Sequence, residues 1–251
     1  MKDNLPDWTR DHFERGDSHA LLLLVVYGEF TDEPQISRSA YRTDGIPHGF
    51  DLQKITRVQS PILPFADPEF GQGVHDQKLF KQIGLAPECL VLRGEIPDPE
   101  NLNYLRDSVG MMSYFLHHGG FAVCDPQQLA LFNRDLWQLE VFEPGMAGLG
   151  KHVMILYSDE SDGRWFHTRG LRKFARPDLS VRGVPAEYSK TVIELCNRFI
   201  RMQQLGARIP EGQEIRMASL PPGLICHHRG NLDDPDFNNV HVEIRWPDGK
   251  A

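Results

Sequence analysis

The sequence predicts an α+β protein, with mostly antiparallel sheets packed by two long helices, and three observations predict it. Two segments, 99–117 and 186–205, carry apolar residues at helical spacing. Several short apolar runs are bounded by Gly, Pro, Asn and Asp, the punctuation of strands and turns. At 239–246, Val242, Ile244 and Trp246 alternate with His241, Glu243 and Arg245, the period of a half-buried strand. With 251 residues, 40% hydrophobic and 25% charged, the chain has the composition of a globular protein. It is read as a single domain, 1–251, with room for two lobes, 1–143 and 150–251.

In chain order, 6–15 reads as a short helix and the run Ala20–Tyr27 as a buried strand. From 31 to 75 no firm period emerges. A short helix over 76–83 stops at Gly84, and Glu88–Glu95 is a strand. The helix at 99–117 takes Asp98 as its cap and Pro99 at its first position, where the missing N–H costs nothing. Its stripe is Leu102, Leu105, Val109, Met112 and Leu116, and Gly119 lies just beyond its end. Phe121–Cys124 is a strand, and Asp125-Pro126-Gln127-Gln128 resembles another helix start. Strand 152–157 and strand 165–168 flank the turn signal Asp162-Gly163. Helix 186–205 points Tyr188, Val192, Leu195, Phe199 and Met202 inward, and strand candidates follow at 213–218, 223–228 and 239–246. Trp137 and Trp165 read as core or rim anchors, and Trp246 faces the core.

Residues 20–27 are too few to span a bilayer, and an acidic leader precedes them where a signal peptide is basic. No membrane partner and a cytoplasmic location are expected. Cys89, Cys124, Cys196 and Cys226 are widely spaced without a C-x-x-C pair, which fits small core thiols in a reducing compartment. The net charge of −8 is uneven: residues 1–143 hold 12 Lys/Arg against 22 Asp/Glu, and residues 144–251 hold 15 against 13. An acidic first half argues against nucleic acid as a partner.

Gly145, Gly150 and Lys151 meet most of a phosphate-loop pattern, but His152 stands where Ser or Thr should reach magnesium. Such a loop must open a helix, whereas HVMILY follows, a strand. A plain loop is expected at 145–152, and no cofactor is implied.

The stretch 164–182 carries Arg164, Arg169, Arg172, Lys173, Arg176 and Arg182 against one acid, Asp178. Guanidinium groups gathered near one strand end make a fork for phosphate, sulfate or carboxylate, with His167, Thr168 and Gly170 as further donors. A solvated loop paired to the acidic first half is the alternative. The run His167-Thr168-Arg169-Gly170-Leu171, then Phe174, then Pro177-Asp178-Leu179, resembles a motif of a bacterial family of uncharacterised domains. There a strand ends in Thr-x-Gly and runs on to Phe-Gly-x-Pro-Glu/Asp. The resemblance covers about 150–185 and implies a bacterial origin and an α+β fold, with no activity to carry over. Ala175 stands where the motif has Gly.

A second constellation depends on register. If 223–228 pairs with 239–246 so that His228 lies opposite His241, then Cys226 faces Glu243, and Cys226, His228, His241 and Glu243 share one face. Those are zinc-ligand types, but a one-residue slip removes the cluster, and a wet sheet face explains the same alternation, so no metal is favoured. Asp234, Asp236 and Asn238 begin like a calcium loop, yet Asn239 and Arg245 occupy the positions that need Gly and Glu, and an acidic turn suffices.

No catalytic signature of hydrolase or metalloprotease type is present. The leading expectation is a non-enzymatic binding protein of accessory or immunity type. It contacts a small anion or an acidic protein surface through Thr168, Arg169, Arg172, Lys173 and Arg176. The alternative is a hydrolase or transferase acting on an anionic small molecule, with His167 as general acid/base.

Overall fold

In the computed structural model, which describes residues 5–30 and 36–247, the apolar run near the N-terminus is strand β1 (His19–Gly28). Two units divide the chain. The first comprises the residues up to Thr9, 21–96 and 101–151; the second comprises 10–20, 97–100 and the chain from His152 on. An α+β fold with mostly antiparallel sheets results.

The first unit is a five-stranded sheet. It adds β2 (Phe50–Thr56), β3 (Glu88–Pro97), β4 (Gly120–Asp125) and β5 (Ala130–Asn133), in the order β2-β3-β1-β4-β5. Side chains of period two divide its faces. Val25, Tyr27, Ala122 and Cys124 pack with Leu63, Leu79 and Ile83, while Leu22, Leu24, Val26 and Val123 point the other way, all buried. Helices α1 (Arg38–Tyr41), α2 (Pro68–Gln72), α3 (Gln77–Ile83), α4 (Asn103–His117) and α5 (Arg134–Trp137) complete the unit. Asp67 and Asp76 cap α2 and α3 by accepting from Phe70 N and Leu79 N. In α4 the expected stripe of Leu105, Val109, Met112 and Leu116 is buried.

Several local expectations fail here. Helix α4 begins at Asn103, its cap is Leu102, and Asp98 plays no part in it. The segment expected as a helix at 6–15 is irregular, with Thr9 bridged to Asn101. Residues 125–128 form a turn in which the buried Asp125 carboxylate accepts from Gln127 N and Gln128 Nε2, so its hydrogen bonds close a hairpin into β5. Segment 145–152, expected as a loop, is a 3₁₀ helix (Gly145–His152).

The second unit is a six-stranded sheet of β6 (Met154–Glu160), β7 (Gly163–Arg169), β8 (Asp178–Val184), β9 (Glu214–Ile215), β10 (Leu224–Arg229) and β11 (His241–Arg245). Its order is β6-β7-β8-β11-β10-β9, with β8 and β11 parallel and the other pairs antiparallel. The hairpin of β6 and β7 turns at 161–162, with Gly163 at φ +128. Helix α6 (Ser189–Gln204) packs on β7 and β8. It buries Val192, Leu195, Cys196, Phe199, Ile200 and Gln203, a stripe turned away from Met202, which is 48% exposed rather than inward. Trp246, expected to face the core, is half-buried beside Tyr188. All four cysteines are free and buried. Among the described residues no helix is long and apolar enough to cross a membrane.

Candidate functional site

The 164–182 stretch folds into β7, a short 3₁₀ turn (Leu171–Phe174) and β8. Its cations do not converge into one fork. Arg169 donates to the carbonyls of Pro235 and Asp236, and Arg172 to those of Leu232 and Asn238. Both therefore fasten the 231–239 loop to the strand end. Lys173 is wholly buried. Arg176 is 3% exposed and donates to the carbonyls of Ala207, Gly206 and Glu14 and to Asp98. A guanidinium saturates nearby carbonyls when the backbone brings them within reach, because a buried cation without such partners is costly.

Thr168 and Asp178 form a buried knot. Thr168 Oγ1 donates to Asp178 Oδ1 at 2.8 Å and accepts from Leu179 N, while Asn239 Nδ2 and Leu171 N also donate to the carboxylate. Burial nevertheless pushes the Asp178 carboxyl up to about 6, outweighing those hydrogen bonds. Gly170 adopts φ +118, and a Cβ there would lie 2.5 Å from the His152 carbonyl oxygen. Ala175 holds φ 54, the left-handed region that favours glycine. Thr168, Gly170 and Asp178 are thus fully occupied by the architecture of the turn.

His167 stands in a column of flat groups. Its ring stacks on Trp165 at 4.1 Å and meets Phe237 at 5.5 Å; Phe237 stacks on His241 at 4.2 Å, and the Arg182 guanidinium lies 4.0 Å over Trp165. His167 Nδ1 is buried without a hydrogen-bond partner. Burial pushes the imidazole down to about 4, with nearby Asp236 opposing, so the ring is neutral at pH 7. Among the described residues no carboxylate orients it by a hydrogen bond, and general acid/base work at His167 gains no support from this geometry.

The zinc-type face that one strand register would assemble does not form. Cys226 pairs with Ile244, His227 with Glu243, His228 with Val242 and Arg229 with His241. The register is one residue away from the one that places His228 opposite His241. Cys226 and His228 consequently lie on one face of the sheet, and His241 and Glu243 on the other. Among the described residues no group of three or more His, Cys, Asp or Glu is placed to hold a metal ion.

What the fold does assemble, within the second unit, is a cleft of about 270 Å³. Arg176, Arg208, His228, Arg229 and His241 line it, together with an apolar wall of Pro177, Ile209 and Val240. None of its described lining residues is acidic, in a chain whose net charge is −8. Arg208 Nη1 donates to the Arg15 carbonyl and Arg229 Nη1 to that of His228, which leaves each guanidinium further N–H donors. His228 Nε2 is 2.8 Å from the Ile209 carbonyl oxygen, which holds the ring in place.

The chain matches no family model, no curated protein and no solved structure. Function has to be read from this geometry alone. Of the sequence candidates, Arg176 and the pair His228 and His241 reach the cleft, the two histidines in a role unrelated to zinc. Arg208 and Arg229 were missed. Their only sequence signal is an Arg within two residues of a glycine just past or at the end of an element, Arg229-Gly230 and Gly206-Ala207-Arg208. The cleft draws on 16–18, 175–177, 208–209, 228–230 and 240–241, so no window of sequence contains it.

Proposed function

We propose that this protein is a binding protein for a small anion, taken in the basic cleft of its second unit. The observation that supports it is the lining: Arg208 and Arg229, each with N–H donors to spare, stand with His228 and His241 against an apolar wall, with no acidic side chain among the described lining residues. A concave site with a few converging polar groups is the usual form of a small-ligand site, and guanidinium groups suit carboxylate, sulfate and phosphate. Arg176 belongs both to this cleft and to the arginine-rich stretch. Compared with the expectation from sequence, the contact moves from the outer face of 164–182 to Arg208 and Arg229.

The test is thermal unfolding at fixed ionic strength with phosphate, sulfate, acetate and succinate, repeated with Arg208→Ala and Arg229→Ala. A ligand at 100 times its Kd raises stability by about 2.7 kcal/mol. A selective rise that both variants lose is the expected result. Equal midpoints with and without every anion would remove the reading.

A further inference from the structure

We propose that the anion held by this cleft is a phosphate monoester in its dianionic form, and that it enters together with one proton taken up by His241. The inference rests on the anion-binding reading above and adds the ligand's class and the proton.

His241 lines the cleft and is 9% exposed, and its Nδ1 is buried with no hydrogen-bond partner. The nearest carboxylate oxygen, Asp234 Oδ2, is 3.9 Å away, beyond hydrogen-bond length. A buried ring nitrogen left unsatisfied is unfavourable, and such groups call for an explanation. The ring cannot turn away easily. Phe237 stacks on it, and the backbone of Gly230 approaches so closely that a Cβ would lie 2.8 Å from Nδ1. Gly230 adopts φ +73, which lets the chain pass there.

The charges around His241 act on its proton in both directions. Asp234 from the 231–239 loop and Glu243 from its own strand favour the proton. Arg182 from β8 and Arg229 from β10 oppose it, and burial opposes it most, so the pKa lies below the ordinary imidazole value. His167 is the remaining titratable ring of the column, and Arg176, Arg208 and His228 face the cleft. With the cleft empty the imidazole is therefore neutral near pH 7. A dianion placed in the cleft adds two negative charges close to the ring and reverses that balance.

The same charges select the ligand. Arg176 spends all five of its N–H donors on Asp98 and on the carbonyls of Glu14, Ala175, Gly206 and Ala207. Arg208 and Arg229 are then the guanidinium groups with donors to spare, and a dianion can engage both where a monocarboxylate engages one. They stand on different segments of the wall, with His228 and His241 beside them. The three terminal oxygens of a phosphoryl group accept from several directions at once, whereas a planar carboxylate suits a single fork. The Pro177, Ile209 and Val240 wall is left for the carbon part of an ester.

Calorimetric titration of the full chain tests this with sulfate, inorganic phosphate, phenyl phosphate, acetate and succinate. Sulfate keeps its charge between about pH 5.5 and about pH 8, so its pH dependence reports the protein alone. The expected result is sulfate binding about tenfold tighter at the lower pH, the equivalent of a tenfold rise in the proton affinity of the ring on binding. The gain is expected to vanish in His241→Gln and to persist in His228→Gln. Phenyl phosphate should bind tighter than acetate or succinate. A second measurement needs no variant: the His241 ring resonances of the unaltered chain should titrate at higher pH in saturating sulfate. A flat sulfate profile, or an unmoved ring titration, overturns the proton uptake while leaving anion binding in place. Carboxylates that bind as tightly as phenyl phosphate overturn the ligand class. Failure of every anion to bind at any pH overturns both this inference and the anion-binding reading.

Discussion

Asp98 Oδ1 lies 2.9 Å from Arg176 Nη1 and 3.1 Å from Arg10 Nη1, with all three side chains no more than 2% exposed. Gly16 N donates to the other carboxylate oxygen at 2.8 Å. One carboxylate thus holds two buried guanidinium groups, and those groups in turn bind carbonyls of 174–175 and 203–207. The trio anchors 10–20 and 97–100 within the second unit and sets Arg176 at the edge of the cleft.

Removing that carboxylate leaves two buried cations without their counter-charge. Breaking a buried pair in this way costs about 3–5 kcal/mol. Asp98→Ala is expected to lower the unfolding free energy by that amount in urea. A loss below about 1 kcal/mol, the range of exposed ion pairs, would show that water reaches the site.

Gly110 tests packing against helix propensity. It sits in the interior of α4, where Ala is ordinarily better by about 1 kcal/mol. Here a Cβ would lie 2.2 Å from the Tyr41 carbonyl oxygen and 2.8 Å from Thr43 Cβ. Gly110→Ala is expected to destabilise by about 1–3 kcal/mol, the range of overpacked sites. Gly150→Ala, with nothing within 4 Å of its Cβ position, is the control and should change little in the same denaturant series.

Asp178 supplies a pH dependence with an unusual sign. Its carboxyl is pushed up to about 6, so the folded chain holds this proton more tightly than the unfolded chain does. Between about pH 4 and about pH 6 the folded state binds more protons, and stability falls as pH rises through that window. Asp178→Asn cannot titrate. Relative to that variant, the parent chain should gain about 2–3 kcal/mol on moving from pH 7 to pH 4, since each tenfold change in proton affinity is worth about 1.4 kcal/mol. A constant difference across the range would mean that the hydrogen bonds from Thr168 and Asn239 offset burial completely.

His167→Phe separates the aromatic column from acid/base chemistry. Phenylalanine keeps the stacking on Trp165 and Phe237 and removes the unpartnered Nδ1. Stability is expected to hold or to rise by about 1–2 kcal/mol, the usual cost of an unsatisfied buried polar group. Sulfate affinity in the cleft should be unchanged. Loss of anion affinity in this variant would bring His167 back to the site.

Much of the fold was legible locally. The apolar stripe of α4 and most of that of α6, the uninterrupted run of β1, the hairpin turn one residue ahead of the Asp162-Gly163 signal and the buried thiols all follow from short-range geometry. A helix or strand exposes its residues to solvent at a fixed period, and the apolar residues record that period. Met202 shows the limit: the expected stripe steps by three from Phe199 to Met202, whereas the buried one steps by four to Gln203.

The candidate site was not legible in the same way. An arginine's partner is whichever carbonyl or carboxylate the fold brings within reach of a long side chain, and sequence spacing does not encode that. Arg169 and Arg172 are therefore occupied by the 231–239 loop, and Asp98, placed where a helix cap belongs, is occupied by Arg10 and Arg176. The pairing of β10 with β11 turns on one residue of register, and a strand's period of two makes that single step separate His228 from His241. The sequence by itself determined the class of fold and most of its elements, because those depend on the periodicity of neighbouring residues. Only the tertiary structure decided where the charges go, because the cleft is built from five separate segments that meet through packing and long-range hydrogen bonds.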